Sequence, residues 1–546
     1  MRDGIKLRAD ILRPAGKGPF PALLYRTPYD KEQERQYSTF QRAVERGYAV
    51  VVQDVRGRYA SEGEFRPYQQ EGRDGYDTIE WIARRPWCNG AVGMFGLSYP
   101  AAAQWLAAVE NPPHLRAMVP AMTFSSPRSF FYSGGVFDLS FIEWIWNEIA
   151  PDTRTRRHLT GPVNAEDALA AWDKEGAQMQ GVLPLAKLNA LGEVAPYYYE
   201  WLRHPPDDPW WAWADLRHRY AEVHAAVLNL SGWYDDSYGP EGATANFQGL
   251  KASRQGKAPT TALLVGPWFH DVDSIVRGVS GVRGVAKNAA LDYDGLVLDW
   301  MDHYLREVDN GVERKQPVRY FVLGADIWRE AADWPPPALR SVYTLGQAKP
   351  GKPGRLSTAP VGGPEWSAFV SDPERPVQNP VEDQGAHNFA ALAARDDLLT
   401  FDSDPVAVDT EVTGPVDAHM FASCDCRDFD LWVRLYDVAP DGQVFNLMSP
   451  GLDVVRASYR DMDKGRQRLV PGRIYALHIH GPVTSNLFAK GHRIRVQTSG
   501  SFFPNFSRNL QTGDLESNSS KARKATIRIH HDRQHPSQIV LPIVPG

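Results

Sequence analysis

Apolar positions change character along the first 123 residues in a way that alternates strand with helix. Pro21-Ala-Leu-Leu-Tyr25 is a short apolar run that stops at Thr27-Pro28, and Tyr48-Ala-Val-Val-Val-Gln53 is a second, bounded by Gly47 and Asp54-Val-Arg-Gly57. Such short, bounded runs read as strands. Between and after them, apolar residues recur at helical spacing from Tyr37 to Arg46 and from Asp74 to Ala83, the latter with Tyr76, Ile79, Trp81 and Ile82 on one side. Gly93-Met-Phe95 then leads through Ser98 into Ala101-Ala-Ala-Gln-Trp-Leu-Ala-Ala108, a strong helix former. Strands alternating with helices predict right-handed crossovers and a mostly parallel sheet.

From Thr123 to about Ala225 the chain turns aromatic and helical in spacing, with proline-rich turns such as His204-Pro-Pro-Asp-Asp-Pro209. Alternation resumes at Ala226-Val-Leu-Asn-Leu230 and Thr261-Ala-Leu-Leu-Val265, followed by a helical stretch from Ala290 to Arg306. Beyond residue 316 the runs are rich in β-formers: Val318–Leu323, Leu431–Tyr436, Arg473–His480 and Ala525–His530, separated by Gly, Pro and Asp turns. The pattern predicts an α/β domain in two parts (1–123 and 226–316), a helical cap inserted between them (124–225), and a C-terminal β-sandwich of jelly-roll kind (317–546).

Composition narrows the function. With 43% hydrophobic and 23% charged residues among 546, the chain is that of a globular protein able to bury more than one core. A net charge of −6 with no long run of one sign argues against nucleic acid. No stretch approaches 18 consecutive apolar residues, so no membrane span is expected. Three cysteines, Cys88, Cys424 and Cys426, are too few for a disulfide framework, and Cys424-Asp-Cys426 is too sparse for a zinc site. No charged leader followed by an apolar stretch opens the chain, and composition points to the cytoplasm. Self-association is left open.

Gly96-Leu-Ser98-Tyr-Pro100 lies between a short strand and a helix. A serine at such a corner projects its hydroxyl above the sheet edge, where the helix N-terminus favours developing negative charge. Gly96 and Ala101 supply small neighbours, while Pro100 stands where a second glycine is usual, in a first helical turn that tolerates it. Helix N-capping is the plain alternative for Ser98, and Gly278-Val-Ser280-Gly281 is a second G-x-S with no strand before it. A nucleophilic serine needs a base and an anion to orient it, in the chain order Ser, Asp, His. That order is present: one strand leads to Ser231-Gly-Trp-Tyr-Asp235 and the next to Gly266-Pro-Trp-Phe-His270. Asp236 is an alternative acid, and His224 and His303 are alternative bases. His478-x-His480 shares one strand face, read as exposed surface rather than a chelate. An oxyanion needs two donors: the Tyr99 N–H follows the nucleophile, and a phenol in Arg26-Thr-Pro-Tyr29-Asp-Lys31, protonated at neutral pH, is able to supply the other.

These residues, with Met1-Arg-Asp-Gly-Ile-Lys-Leu7, Asp54-Val-Arg-Gly-Arg58, Ser61-Glu-Gly63 and Ser501-Phe-Phe-Pro-Asn-Phe-Ser-Arg-Asn509, resemble the superfamily of cocaine esterase and X-prolyl dipeptidyl-peptidase. It also includes α-amino acid ester hydrolases and glutaryl acylases. The resemblance covers nearly the whole chain and implies an α/β-hydrolase fold, a Ser98–Asp235–His270 triad, and Tyr29 and Tyr99 as oxyanion donors. It further implies a helical cap and a jelly roll beside the site; no cofactor and no metal are expected. The α-amino acid ester hydrolases hold the substrate ammonium partly with carboxylates two and three positions after the triad aspartate; here stand Ser237 and Tyr238. The expected function is hydrolysis of small esters or amides through an acyl-enzyme, with X-Pro dipeptide release as the alternative and a non-catalytic carbohydrate binder as a remote one. Trp144, Phe141, Phe137 and Trp268 are the expected substrate-binding aromatics.

Overall fold

The computed structural model describes residues 1–546 except Arg35, Arg128, Ser129, Gly256, 284–286, 360–364, Glu382, Leu452 and Gly546. A nine-stranded sheet runs in the order β1 (Ala9–Leu12), β3 (Ala49–Asp54), β2 (Phe20–Thr27), β4 (Cys88–Leu97), β5 (Leu115–Ala121), β8 (Ala226–Tyr234), β9 (Thr261–Phe269), β10 (Val318–Val322) and β11 (Ile327–Ala331). The seven inner strands are parallel and the two edge strands antiparallel. Every residue of β3 and β8 is buried, which is why both read as continuous apolar runs rather than alternating ones.

Helices cover both faces: α1 (Lys31–Glu34), α2 (Ser38–Glu45), α3 (Glu71–Ala83) and α4 (Tyr99–Ala108) in the first part of the chain. Between β5 and β8 a two-residue hairpin, β6 (Tyr132–Ser133) and β7 (Val136–Phe137), precedes α5 (Ser140–Trp144). The helix then widens into a π-helical turn, Ile145–Ile149, and continues as α6 (Ala150–Arg157); α7 (Ala165–Gly181) and α8 (Pro196–Arg203) follow as separate helices. The second part of the core carries α9 (Glu241–Arg254), α10 (Val272–Arg277) and α11 (Tyr293–Arg306).

One boundary moves. Val318–Val322, expected to open the β-rich half, pairs in parallel with β9, and a hairpin adds β11. The core sheet therefore continues past 316 to Ala331. The run is rich in β-formers, as a sandwich strand is, but the crossover through α11 decides its partner. From Leu339 onward a fourteen-stranded network closes around an apolar core that includes Leu345, Phe401, Leu431, Val496 and Ile527. The Ser501–Asn509 segment docks this domain on the cap: Leu139 N–H donates to the Asn505 carbonyl at 2.8 Å and Ser507 N–H to that of Phe137 at 2.9 Å.

Cys424 and Cys426 form a disulfide across Asp425, which the cysteine count did not suggest. A loop that short restrains little of the unfolded chain, so burial still carries the fold. His478, on its strand, and His480, just past the strand's end, are both exposed, and His478 Nδ1 meets His419 Nδ1 of the neighbouring strand at 2.7 Å. Among the described residues no group of three or more His, Cys, Asp or Glu side chains is placed to hold a metal ion. No described helix is long and apolar enough to cross a membrane.

Candidate active site

Four parallel strands deliver the candidate residues to one end of the sheet, the carboxyl end, where open α/β sheets form their ligand crevice. Tyr29 follows β2, Ser98 follows β4, Asp235 follows β8 and His270 follows β9. Both β8 and β9 run on to the residue just before the candidate side chain, further than their apolar runs suggest. Gly232 makes this close approach feasible: a Cβ there would lie 2.2 Å from the Trp268 carbonyl oxygen. The register between the strands slips from Gly232 to Tyr234, which aims the two ends at each other.

Ser98 occupies a strained backbone conformation, φ 67° and ψ −126°, between β4 and α4. Its carbonyl accepts the first helical N–H groups, from Ala101 and Ala102, and its N–H donates to the Ala121 carbonyl at 3.0 Å. Gly96 (φ 137°) is what the turn requires, since a Cβ there would meet Pro100 Cβ at 2.6 Å and the Tyr25 ring at 2.9 Å. Gly96→Ala is therefore expected to destabilise the protein by about 2 kcal/mol and to misplace Ser98. A thermal melt beside an activity assay checks both, and an unchanged melting temperature would refute the clash.

His270 Nδ1 lies 2.8 Å from Asp235 Oδ1, and the Asp235 side chain is fully buried. Ser237 and Tyr238 N–H groups donate to the same oxygen at 3.2 Å each, fixing the carboxylate. Paired this way, the imidazole carries its proton on Nδ1 and keeps a lone pair on Nε2. Burial works to lower the His270 pKa, but the Asp235 charge and hydrogen bond, with Asp236 and Asp271 nearby, outweigh it and the pKa is raised. Asp236, the alternative acid, instead faces the cavity, its pKa pushed up to about 7 by burial.

Ser98, His270 and Tyr29 line one cavity of about 1250 Å³. His270 is the histidine that reaches it among the described residues; His224 and His303 do not, nor does the buried Ser280. Burial raises the Tyr29 phenol pKa, so it holds its proton at neutral pH. The Tyr99 side chain turns away, its hydroxyl donating to Glu71 at 2.9 Å beside the buried Arg26–Glu71 ion pair at 2.6 Å. Its N–H, at the first position of α4, is one of those a helix leaves outside its own ladder.

The expected aromatics divide. Trp144 and Phe141 line the cavity; Phe137 and Trp268 do not. Phe137 sits in β7, buried against Tyr132 and Tyr198. Trp268 shares the β9 face of Leu264 in the core beneath α11, and its indole donates to the Ala289 carbonyl at 3.0 Å. The structure adds Tyr68, Tyr238, Phe130, Glu34, Glu143 and Glu148 to the lining, and Gln384 from the β-rich domain. Tyr238 places its hydroxyl against that of Ser98 and, at 3.2 Å, that of Tyr68. Two of these, Phe130 and Tyr238, carry some signal in the sequence, as a cap aromatic and as a near neighbour of Asp235. Tyr68, from an irregular loop, carries none.

The chain matches the family model described as X-Pro dipeptidyl-peptidase (S15 family) over residues 3–271, and that of the X-Pro dipeptidyl-peptidase C-terminal non-catalytic domain over 310–540. It is 34% identical to cocaine esterase of Rhodococcus sp. (strain MB1 Bresler) across 100% of this chain and 97% of that protein. Among solved structures it resembles an α-amino acid ester hydrolase (TM-score 0.84, 24% identity) and an aminopeptidase from a marine-sediment Thaumarchaeota archaeon (TM-score 0.81, 23% identity). Each covers 100% of this chain and is itself 95% covered. Full-length identity to cocaine esterase, both family models and the shared fold agree that the chain belongs to the S15 family of α/β-hydrolase serine hydrolases.

Proposed function

We propose that this protein hydrolyses carboxylic esters of small acyl substrates, and amides more slowly, through an acyl-enzyme on Ser98. The observation that carries the reading is His270, paired with the buried Asp235 at 2.8 Å, lining one cavity with a serine held at φ 67° on the turn after β4. His270 Nε2 takes the Ser98 proton as Oγ attacks the carbonyl carbon; the oxyanion is met by the Tyr29 hydroxyl and the Tyr99 N–H. The C–O or C–N bond breaks as His270 returns that proton to the leaving alcohol or amine. Water then repeats the sequence and releases the acid, restoring Ser98.

The lining speaks to substrate charge. Glu34, Glu143, Glu148 and Asp236 face the cavity, and Arg42, its one Lys or Arg among the described residues, is held by Asp292 at 2.6 Å. Neutral or cationic esters suit this wall better than anionic ones. The same carboxylates favour a second reading, release of X-Pro dipeptides, which needs an anionic pocket for a free amine. A panel decides. p-Nitrophenyl esters are expected to exceed Gly-Pro-p-nitroanilide in kcat/KM by about 100-fold or more, because amide cleavage leans on leaving-group protonation. The reverse order would make the protein a peptidase.

Composition supports a cytoplasmic site of action, whereas the Cys424–Cys426 disulfide favours an oxidising compartment. Thiol titration of freshly lysed cells decides between them: reduced Cys424 and Cys426 support the cytoplasm, and oxidised ones overturn it.

A further inference from the structure

Tyr29 is tied to the cap at two points. The Trp144 indole N–H donates to the Tyr29 hydroxyl oxygen at 3.1 Å. Behind the loop, the fully buried Arg58 guanidinium donates to the carbonyl of Pro28, the residue before Tyr29, at 2.8 Å. The other arms of the same guanidinium donate to the carbonyls of Ile149 (2.7 Å) and Glu148 (3.1 Å), the last two residues of the π-helical turn, and pair with Asp152 at 3.3 Å. One side chain thus joins the strand-end loop that presents the phenol to the helix that carries Trp144 at the end of α5 and widens after it.

The contact is reinforced from both sides. Asp152 accepts the Tyr59 N–H at 3.1 Å, and Arg156 of α6 donates to the carbonyls of Tyr59 and Ser61 at 2.6 and 3.0 Å. The loop after β3 is therefore a seat for the cap. A π-helical turn is rare, leaves its carbonyls in unusual places and recurs at functional sites. Here its last two carbonyls meet a forked donor that matches them.

The chemistry follows from what Trp144 does to the phenol. Indole is a donor only, so Tyr29 accepts from it and its own hydrogen must point elsewhere. A phenol that accepts a hydrogen bond also donates a stronger one. Building on the oxyanion role given to Tyr29 above, we infer that Trp144 and Arg58 are positioning residues through which the cap holds the Tyr29 hydroxyl at the oxyanion. The cap is then part of the catalytic geometry as well as a wall of the cavity, and a misplaced cap weakens acyl transfer before it weakens binding.

A double-mutant cycle tests this on the full-length protein with a p-nitrophenyl ester. Tyr29→Phe is expected to lower kcat about 100-fold or more. Trp144→Phe, which keeps an aromatic ring and deletes the N–H, is expected to lower kcat about 10-fold with KM changed less than about twofold. In the Tyr29→Phe background Trp144→Phe should cost nothing further, because the group it positions is gone. Arg58→Lys, which keeps the charge and loses the fork, should show the same dependence on Tyr29 by a separate route. An equal 10-fold loss in both backgrounds would overturn the inference, leaving Trp144 a lining residue. Full activity in Tyr29→Phe would overturn the oxyanion reading and the inference with it.

Discussion

Ser98→Ala is expected to lower ester turnover by about 10⁵-fold or more while the protein folds and melts as before. The loss is large because the hydroxyl is the atom that forms the covalent bond, and His270 without it has only water to activate. What remains is binding and the oxyanion donors, which give a residual rate above that in water. The fold is spared because the side chain carries little of it: Ser98 makes its structural hydrogen bonds, to Ala121, Ala101 and Ala102, through its backbone. Alanine at φ 67° bears the same strain as serine, so stability should stay within about 1 kcal/mol. A fluorescent fluorophosphonate followed by peptide mapping reads the nucleophile directly. Labelling of the Ser98 peptide that disappears in the variant is the expected result. Persistent labelling, at Ser280 for instance, would remove Ser98 from its role.

The triad candidates were legible because the fold leaves a one-dimensional trace of them. Each of Ser98, Asp235 and His270 follows a parallel strand, and strands buried on both faces appear as apolar runs that end at a fixed side of the sheet. What failed was the assignment of faces. Phe137, Phe141 and Trp144 stand at i, i+4 and i+7, which as one helix would share a side. The helix starts only at Ser140, and Phe137 belongs to a hairpin that turns it into the cap's own core. Trp268 stands two residues before His270, but period two along β9 puts it with Leu264 on the face beneath α11. Val318–Val322 went to the wrong sheet because an isolated β-rich run does not reveal its partner; the helix before it does. Tyr68 and Glu34 reach the cavity through tertiary packing alone. The tie between Arg58 and the cap depends on a π-helical turn, and apolar spacing over five residues does not distinguish that from ordinary helix.

Asp235→Asn is the second large effect, a loss of about 10⁴-fold in kcat/KM with the fold intact. The amide oxygen can still accept from Nδ1–H, since the oxygen facing Nδ1 is also the one that takes the Ser237 and Tyr238 N–H groups, but as a neutral acceptor it holds the imidazole tautomer less firmly. The substitution also removes the charge that stabilises the imidazolium formed during attack. The pH profile separates these consequences from simple damage. In the native protein burial lowers the His270 pKa, but Asp235 with Asp236 and Asp271 together raise it more, so the balance lies above the ordinary imidazole value of about 6.5. The working form is the neutral base. Activity should therefore fall as pH drops through that raised pKa, and the acid limb should lie above about 6.5. With the carboxylate gone burial remains, and the residual activity should keep its plateau to lower pH than the native enzyme. Asp236→Asn removes a smaller raising influence and touches neither ring nitrogen, so its acid limb should move slightly and kcat change by less than about tenfold. If Asp236→Asn instead lost four orders of magnitude and Asp235→Asn were spared, the neighbouring carboxylate would be the orienting acid. The 2.8 Å pairing of Asp235 with Nδ1 would then have no part in the chemistry.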